Sequence, residues 1–138
     1  MLSTDEKTRR LLDRFVRAWE TADVNGLVAL LKADATLAMP PSPSWYQGQG
    51  AIGIFVAATV FGDSEMFPGQ ALNRWRLLPT HANGSPAFAI YLRDEKDEYQ
   101  PFGLIALTIV GDQLSQIISF IDPSLPPLFG LPAKLEQS

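Results

Sequence analysis

The chain has no cysteine and one histidine, His81. No disulfide framework, thiolate zinc site or cysteine nucleophile is open to it. A lone imidazole offers little to a metal, so neither metal nor cofactor is expected. Positive charge is also scarce: 11 basic residues stand against 15 acidic ones, for a net charge of −4. A basic surface for nucleic acid or an anionic membrane is therefore not expected. The apolar runs are too short to span a bilayer. The opening MLSTDEKTRR is charged where a signal peptide would be apolar, which leaves cytoplasm as the default location. No nucleophile elbow, zincin helix or phosphate-binding loop occurs.

What is present suits one domain, residues 1–138, with a real core: 46% of the residues are hydrophobic and 19% charged. Residues 1–4 and 133–138 read as flexible ends. Ser3 and Glu6 stand at capping-box spacing, and Leu11, Leu12, Phe15, Val16 and Trp19 recur with helical period. They predict a first helix of about five turns. Asp23 reads as the N-cap of a shorter second helix that turns Leu27, Leu30 and Leu31 inward. Ala35–Met39 predicts a strand stopped by Pro40-Pro41. Gly50–Phe61 predicts a third helix ended by Gly62.

The remainder alternates as strands. Ala71–His81 and Ala87–Arg93 flank Asn83-Gly84, a hairpin pair. The charged loop Asp94–Glu98 follows, without calcium-loop spacing. Phe102–Val110 and Leu114–Ile121 flank Gly111-Asp112, and neither strand has a fully polar face, so this hairpin is expected to be central and covered on both sides. The proline-rich tail after Asp122 predicts no regular structure, yet Leu125, Leu128, Phe129 and Leu131 suggest that it packs. Helices followed by antiparallel strands make an α+β fold: a curved antiparallel sheet wrapped around three N-terminal helices, a cone-shaped barrel with a pocket between its layers. Gly48-x-Gly50-x-x-Gly53 matches a dinucleotide fingerprint only in spacing. No strand leads into it, and it reads as a turn and helix start.

With these residues, that order resembles the nuclear transport factor two-like superfamily, in its SnoaL-like branch of polyketide cyclases and ketosteroid isomerases. The segments Trp45-Tyr46-Gln47-Gly48, Trp75–Thr80, Pro101-Phe102-Gly103 and Phe120–Pro123 are similar to the SnoaL-like domain at the C-terminus of some extracytoplasmic-function sigma factors. The resemblance implies the cone-shaped fold and a free-standing copy of an accessory domain. It also exposes gaps. The isomerase base would fall in Ala38-Met39-Pro40, its oxyanion tyrosine at Phe15, and its protonated aspartate near Ala106, so all three roles are empty. The cyclases' acid–base aspartate does find a counterpart, at Asp122.

Asp122 is thus the candidate catalytic base, provided that apolar neighbours desolvate it and raise its pKa. The alternative is that it accepts N–H bonds from the tail and caps its strand. Trp45 and Tyr46 could donate to a ligand carbonyl or merely plug the barrel. Trp75, Tyr91, Phe102, Phe15, Trp19 and Met39 are candidates to line the pocket, with a core role as the alternative for Trp75. Arg74 is expected to point outward, with Arg76 open, and His81 is expected at the surface. Three functions follow: a cofactor-independent enzyme acting on a small apolar molecule (isomerase, cyclase or hydrolase), a non-catalytic ligand-binding or regulatory module, and an interaction domain. Converging polar groups in a closed pocket would mark the first, an apolar lining with scattered donors the second, and a filled interior the third. A homodimer through the outer sheet face, which includes Leu78 and Ile118, is compatible with each.

Overall fold

The computed structural model describes residues 4–82 and 84–135. Among them the order is α1 (Thr4–Thr21), α2 (Val24–Val28), β1 (Leu31–Ala38), β2 (Trp45–Gln47), α3 (Gln49–Ala58), β3 (Trp75–Ala82), β4 (Ser85–Arg93), β5 (Tyr99–Val110), β6 (Gln113–Phe120) and α4 (Leu125–Leu128). Ser3 of the capping box and Asn83 of the hairpin turn lie outside the described residues.

The strands form one six-stranded, unclosed sheet in the order β2-β1-β6-β5-β4-β3. The architecture is the expected α+β arrangement, with helices against a curved sheet. Two register shifts, between Ile90 and Tyr91 in the β4–β5 pair and between Thr108 and Ile109 in the β5–β6 pair, mark bulges that bend the ladder. At the first, Gly103 is required by space: a Cβ there would stand 2.0 Å from the Phe120 carbonyl oxygen. At the second, Leu114 turns to the same inward side as Ile117, and both are buried. Strict alternation would have put them on opposite faces.

Several boundaries depart from the sequence reading. β1 pairs with β6 in parallel, so the sheet is not wholly antiparallel. Leu31 opens β1 rather than closing α2. The segment Trp45–Gln47 is an edge strand on β1. β3 begins at Trp75 and not Ala71, because Asn73 takes a positive φ of 60° that a strand cannot hold. α3 stops at Ala58, where Thr59 leaves helical geometry at φ −128° and ψ −85°. Asp23 does cap α2, accepting from the Gly26 N–H at 2.9 Å, an interaction worth about 1 kcal/mol. Gly48, at φ 95°, is the N-cap of α3, so the glycine triplet opens a helix as expected, although the short edge strand β2 does lead into it.

Most of the core lies between the helices and the concave face. Leu11, Phe15 and Trp19 from α1, with Leu27 and Ile52, meet Trp75, Phe88, Ile90, Ile105 and Ile117 from the sheet. A second cluster, Ala89, Tyr91, Tyr99 and Leu104, lies on the convex face, with Leu78 beside it in β3 and Leu125, Leu131 and Leu135 of the tail packed against it. The tail therefore packs and contains one helical turn, α4, whose Pro126 is buried; prolines at the first positions of a helix give up no bonded N–H. Leu128 and Phe129 stay exposed, contrary to expectation. Leu135 is bridged to Tyr99 by two backbone hydrogen bonds of 2.7 and 2.8 Å.

Candidate functional site

Between the concave face and the helices lies a cavity of about 590 Å³. The sheet supplies Leu37, Met39, Trp75, Ile90, Phe102, Ile117 and Ser119; the helical layer supplies Trp19, Leu27, Ile52, Phe55 and Val56. The segment after α3 closes one side with Thr59, Val60, Met66 and Phe67. Ser42, Ser44 and Met66 are exposed and mark the mouth, whereas Leu27, Ile52, Trp75 and Ile90 are buried and mark the floor. Among the described residues no Asp, Glu, Lys, Arg or His lines it. Its polar groups are five hydroxyls, on Ser42, Ser44, Tyr46, Thr59 and Ser119, and the indole of Trp19 and Trp75. A larger groove of about 750 Å³ between Met66–Gln70 and the β4–β5 turn is edged by charged side chains.

The aromatic floor is internally braced. Trp75 meets Trp19, Phe67 and Phe102 in T-shaped contacts at 5.4, 5.2 and 5.1 Å, the edge-to-face geometry that ring quadrupoles favour. Its Nε1 donates to the Val60 carbonyl at 2.8 Å. Trp19 Nε1 is buried without a hydrogen-bond partner among the described residues, its ring edge-on to Phe61 and Trp75. Tyr46 stacks on Phe55 at 4.3 Å.

Of the residues singled out from the sequence, Tyr46, Trp75, Phe102, Trp19 and Met39 come together on this cavity. Trp45 does not. It pairs with Ala38 while Tyr46 pairs with inward Leu37, so a single step along β2 sends Trp45 outward, where it is 60% exposed. Phe15 is a core residue, stacked on Phe88 at 5.6 Å. Tyr91 faces the convex side and donates to the Pro132 carbonyl at 2.7 Å; burial raises its pKa.

Asp122 requires the largest correction. Its carboxylate is exposed and accepts from the Ser124 hydroxyl at 2.7 Å and the Ser124 N–H at 3.0 Å. Those bonds favour the charged form and hold its pKa below the ordinary value, with the side-chain bond foremost. The expected desolvated, raised base is not there; Asp122 caps the strand end. Arg74 is a second correction. It is buried, and its guanidinium donates to the carbonyls of Val60, Gly62 and Gly69 at 3.0, 2.8 and 2.8 Å. Burial lowers its pKa, and the nearby Asp63 carboxylate partly offsets this. Arg76 lies over the Tyr99 ring on the convex side, and His81 is exposed, as expected.

Ser119 was passed over by sequence reasoning although its signal was present: a serine between Ile117 and Ile121 in the inward set of β6. Phe67 and Met66 could not be found that way. They sit in an irregular segment, and only its folding over the cavity gives them a role.

The chain is 22% identical to a candidate ketosteroid isomerase from Kribbella flavida, at a TM-score of 0.61 over 85% of this chain and 78% of that one. It superposes on a nuclear transport factor two-like protein of unknown function from Burkholderia xenovorans at a TM-score of 0.65, with 11% identity over 86% and 85% of the two chains. The fold is nuclear transport factor two-like. Likenesses at that identity concern the fold alone. In sequence, the chain is 38% identical over 125 residues to the ECF RNA polymerase sigma factor SigG of Mycobacterium tuberculosis. That match takes in 91% of this chain but spans only 32% of the sigma factor. No family model matches the chain.

Proposed function

We propose that this chain binds a small, predominantly apolar molecule in the cavity and does not transform it. The uncharged lining is the observation that carries this reading. Acid–base chemistry needs a titratable group within reach of the substrate; Asp122, the carboxylate singled out for that task, faces solvent instead. A braced aromatic floor and scattered hydroxyls match what a binding module calls for. The likeness to a segment of a sigma factor supports a regulatory or accessory role in the cytoplasm, with no contact to nucleic acid from a chain of net charge −4.

The test uses diphenylhexatriene, a hydrocarbon dye that fluoresces in apolar surroundings. It is expected to bind saturably and to raise the melting temperature, since a ligand confined to the native state stabilises it. Val56→Trp, which fills the cavity from α3, is expected to abolish binding. Failure of the dye to bind the parent protein, or equal binding by the variant, would overturn the proposal.

One observation also favours self-association. The tail packs on the cluster beside Leu78 but leaves Phe120, 36% exposed, and half-buried Ile118 open on the convex face, in the row that runs through Ala38 to Trp45. A second copy seated there would bury them. Sedimentation at micromolar concentration that shows only monomer would exclude it.

A further inference from the structure

We infer that Ser119 and Tyr46 orient the ligand by hydrogen bonds to a neutral oxygen, so that the preferred occupant is an uncharged, hydrocarbon-rich molecule bearing a hydroxyl or carbonyl group. This rests on the binding reading above. The cavity's hydroxyls are not equivalent. Thr59 Oγ1 already donates to the Phe55 carbonyl at 2.7 Å. Ser42 and Ser44 stand exposed at the mouth, and Ser42 Oγ accepts from the Ser44 N–H at 3.3 Å. Ser119 is different: it is 8% exposed, it lines the cavity from the central strand β6, and its hydroxyl has no hydrogen-bond partner among the described residues. Its oxygen is open to the cavity, where a ligand or water can reach it. Its neighbours along the inward face, Ile117 and Ile121, offer no partner.

Tyr46 is the second free hydroxyl. Its ring is held by the stack on Phe55, while its phenol likewise makes no hydrogen bond to the described protein. Leu37 pairs with both Tyr46 and Ile117, so these three form one inward row across β2, β1 and β6. Ser119 lies one two-residue step along β6 from that row. The two hydroxyls therefore belong to one side of the cavity, within an otherwise apolar wall.

The charge of the occupant follows from what surrounds it. A carboxylate or ammonium brought here would lose its hydration and meet no counter-charge. A hydroxyl or carbonyl would lose far less and would regain a bond from Ser119 or Tyr46.

The test displaces diphenylhexatriene with decanol, decanone, decanoate and decylammonium at neutral pH. Decanol and decanone are expected to bind at least tenfold more tightly than the two ions. Ser119→Ala and Tyr46→Phe are each expected to weaken decanol about three- to tenfold, the scale of one hydrogen bond. Each variant's decanol affinity is read relative to its own dye affinity, so that the ratio reports the lost hydroxyl apart from any change in cavity shape. Tyr46→Phe keeps the stacked ring, so it decides the matter if Ser119→Ala folds poorly. Ions bound as tightly as the alcohol, or decanol bound equally by parent and variants, would overturn this inference and leave the binding reading standing. No dye binding by the parent would overturn both.

Discussion

Trp75 Nε1 donates to the Val60 carbonyl oxygen at 2.8 Å, and the neighbouring Arg74 Nη1 reaches the same atom at 3.0 Å. Two consecutive residues at the start of β3 thus hold the segment that closes the cavity. The cation contributes three of its bonds to backbone carbonyls that no helix or sheet satisfies. Arg74→Met is expected to cost about 2 kcal/mol in urea unfolding, because the Gly62 and Gly69 carbonyls lose their charge-assisted bonds while Val60 keeps that of Trp75. Arg74→Lys should recover only part, since an ammonium cannot span the carbonyls as the planar fork does. A loss below about 0.5 kcal/mol in Arg74→Met would show the latch to be unimportant.

Gly103 is expected to tolerate no side chain. Its missing Cβ would fall 2.0 Å from backbone, not from a flexible side chain, so relief needs movement of β6. Gly103→Ala should destabilise by about 3 kcal/mol, at the upper end of overpacking costs. Gly50→Ala is the control, for nothing lies within 4 Å of its Cβ position. Equal melting temperatures for the two variants would contradict the tight crossing at the bulge.

Asp122→Asn should leave diphenylhexatriene binding where it is in the parent, since the carboxylate faces solvent, and should lower the melting temperature only slightly through the weakened bonds to Ser124. Lost dye binding in this variant would return Asp122 to the cavity.

Acid should weaken the fold partly through Asp94 and Asp122. The Gln100 amide foremost, with the Glu98 and Lys96 N–H groups, holds Asp94 below the ordinary value of 3.8; Ser124 does the same for Asp122. Between the lowered folded value and the unfolded one, the unfolded chain binds more protons. Their contribution is therefore full above 3.8 and is lost as pH falls through the folded values. The Asp94→Asn, Asp122→Asn double variant should show a flatter decline in urea midpoint from pH 5 to pH 2. An unchanged slope would dismiss both groups.

Removing the chain beyond Asp122 should uncover Ala89, Tyr91, Tyr99 and Leu104 on the convex face and cause self-association. Tyr91→Phe, which gives up only the bond to Pro132, should destabilise by about 1 kcal/mol without association. Sedimentation velocity separates the two outcomes, and a monomeric truncation would show that the tail shields nothing.

Local pattern in the sequence was enough for the helical period of Leu11, Phe15 and Trp19, the Asp23 cap, the Gly111 turn and the central β5–β6 hairpin, because each depends on residues a few positions apart. It also brought Tyr46, Trp75 and Met39 near one pocket. Tertiary structure alone decided the parallel β1–β6 pair, the burial of Arg74 and the solvent-facing carboxylate of Asp122. Those outcomes turn on which distant backbone groups need partners, and on bulges that shift a strand's phase by one residue. A side chain's chemistry can be read from its letter, but its hydration depends on what folds over it.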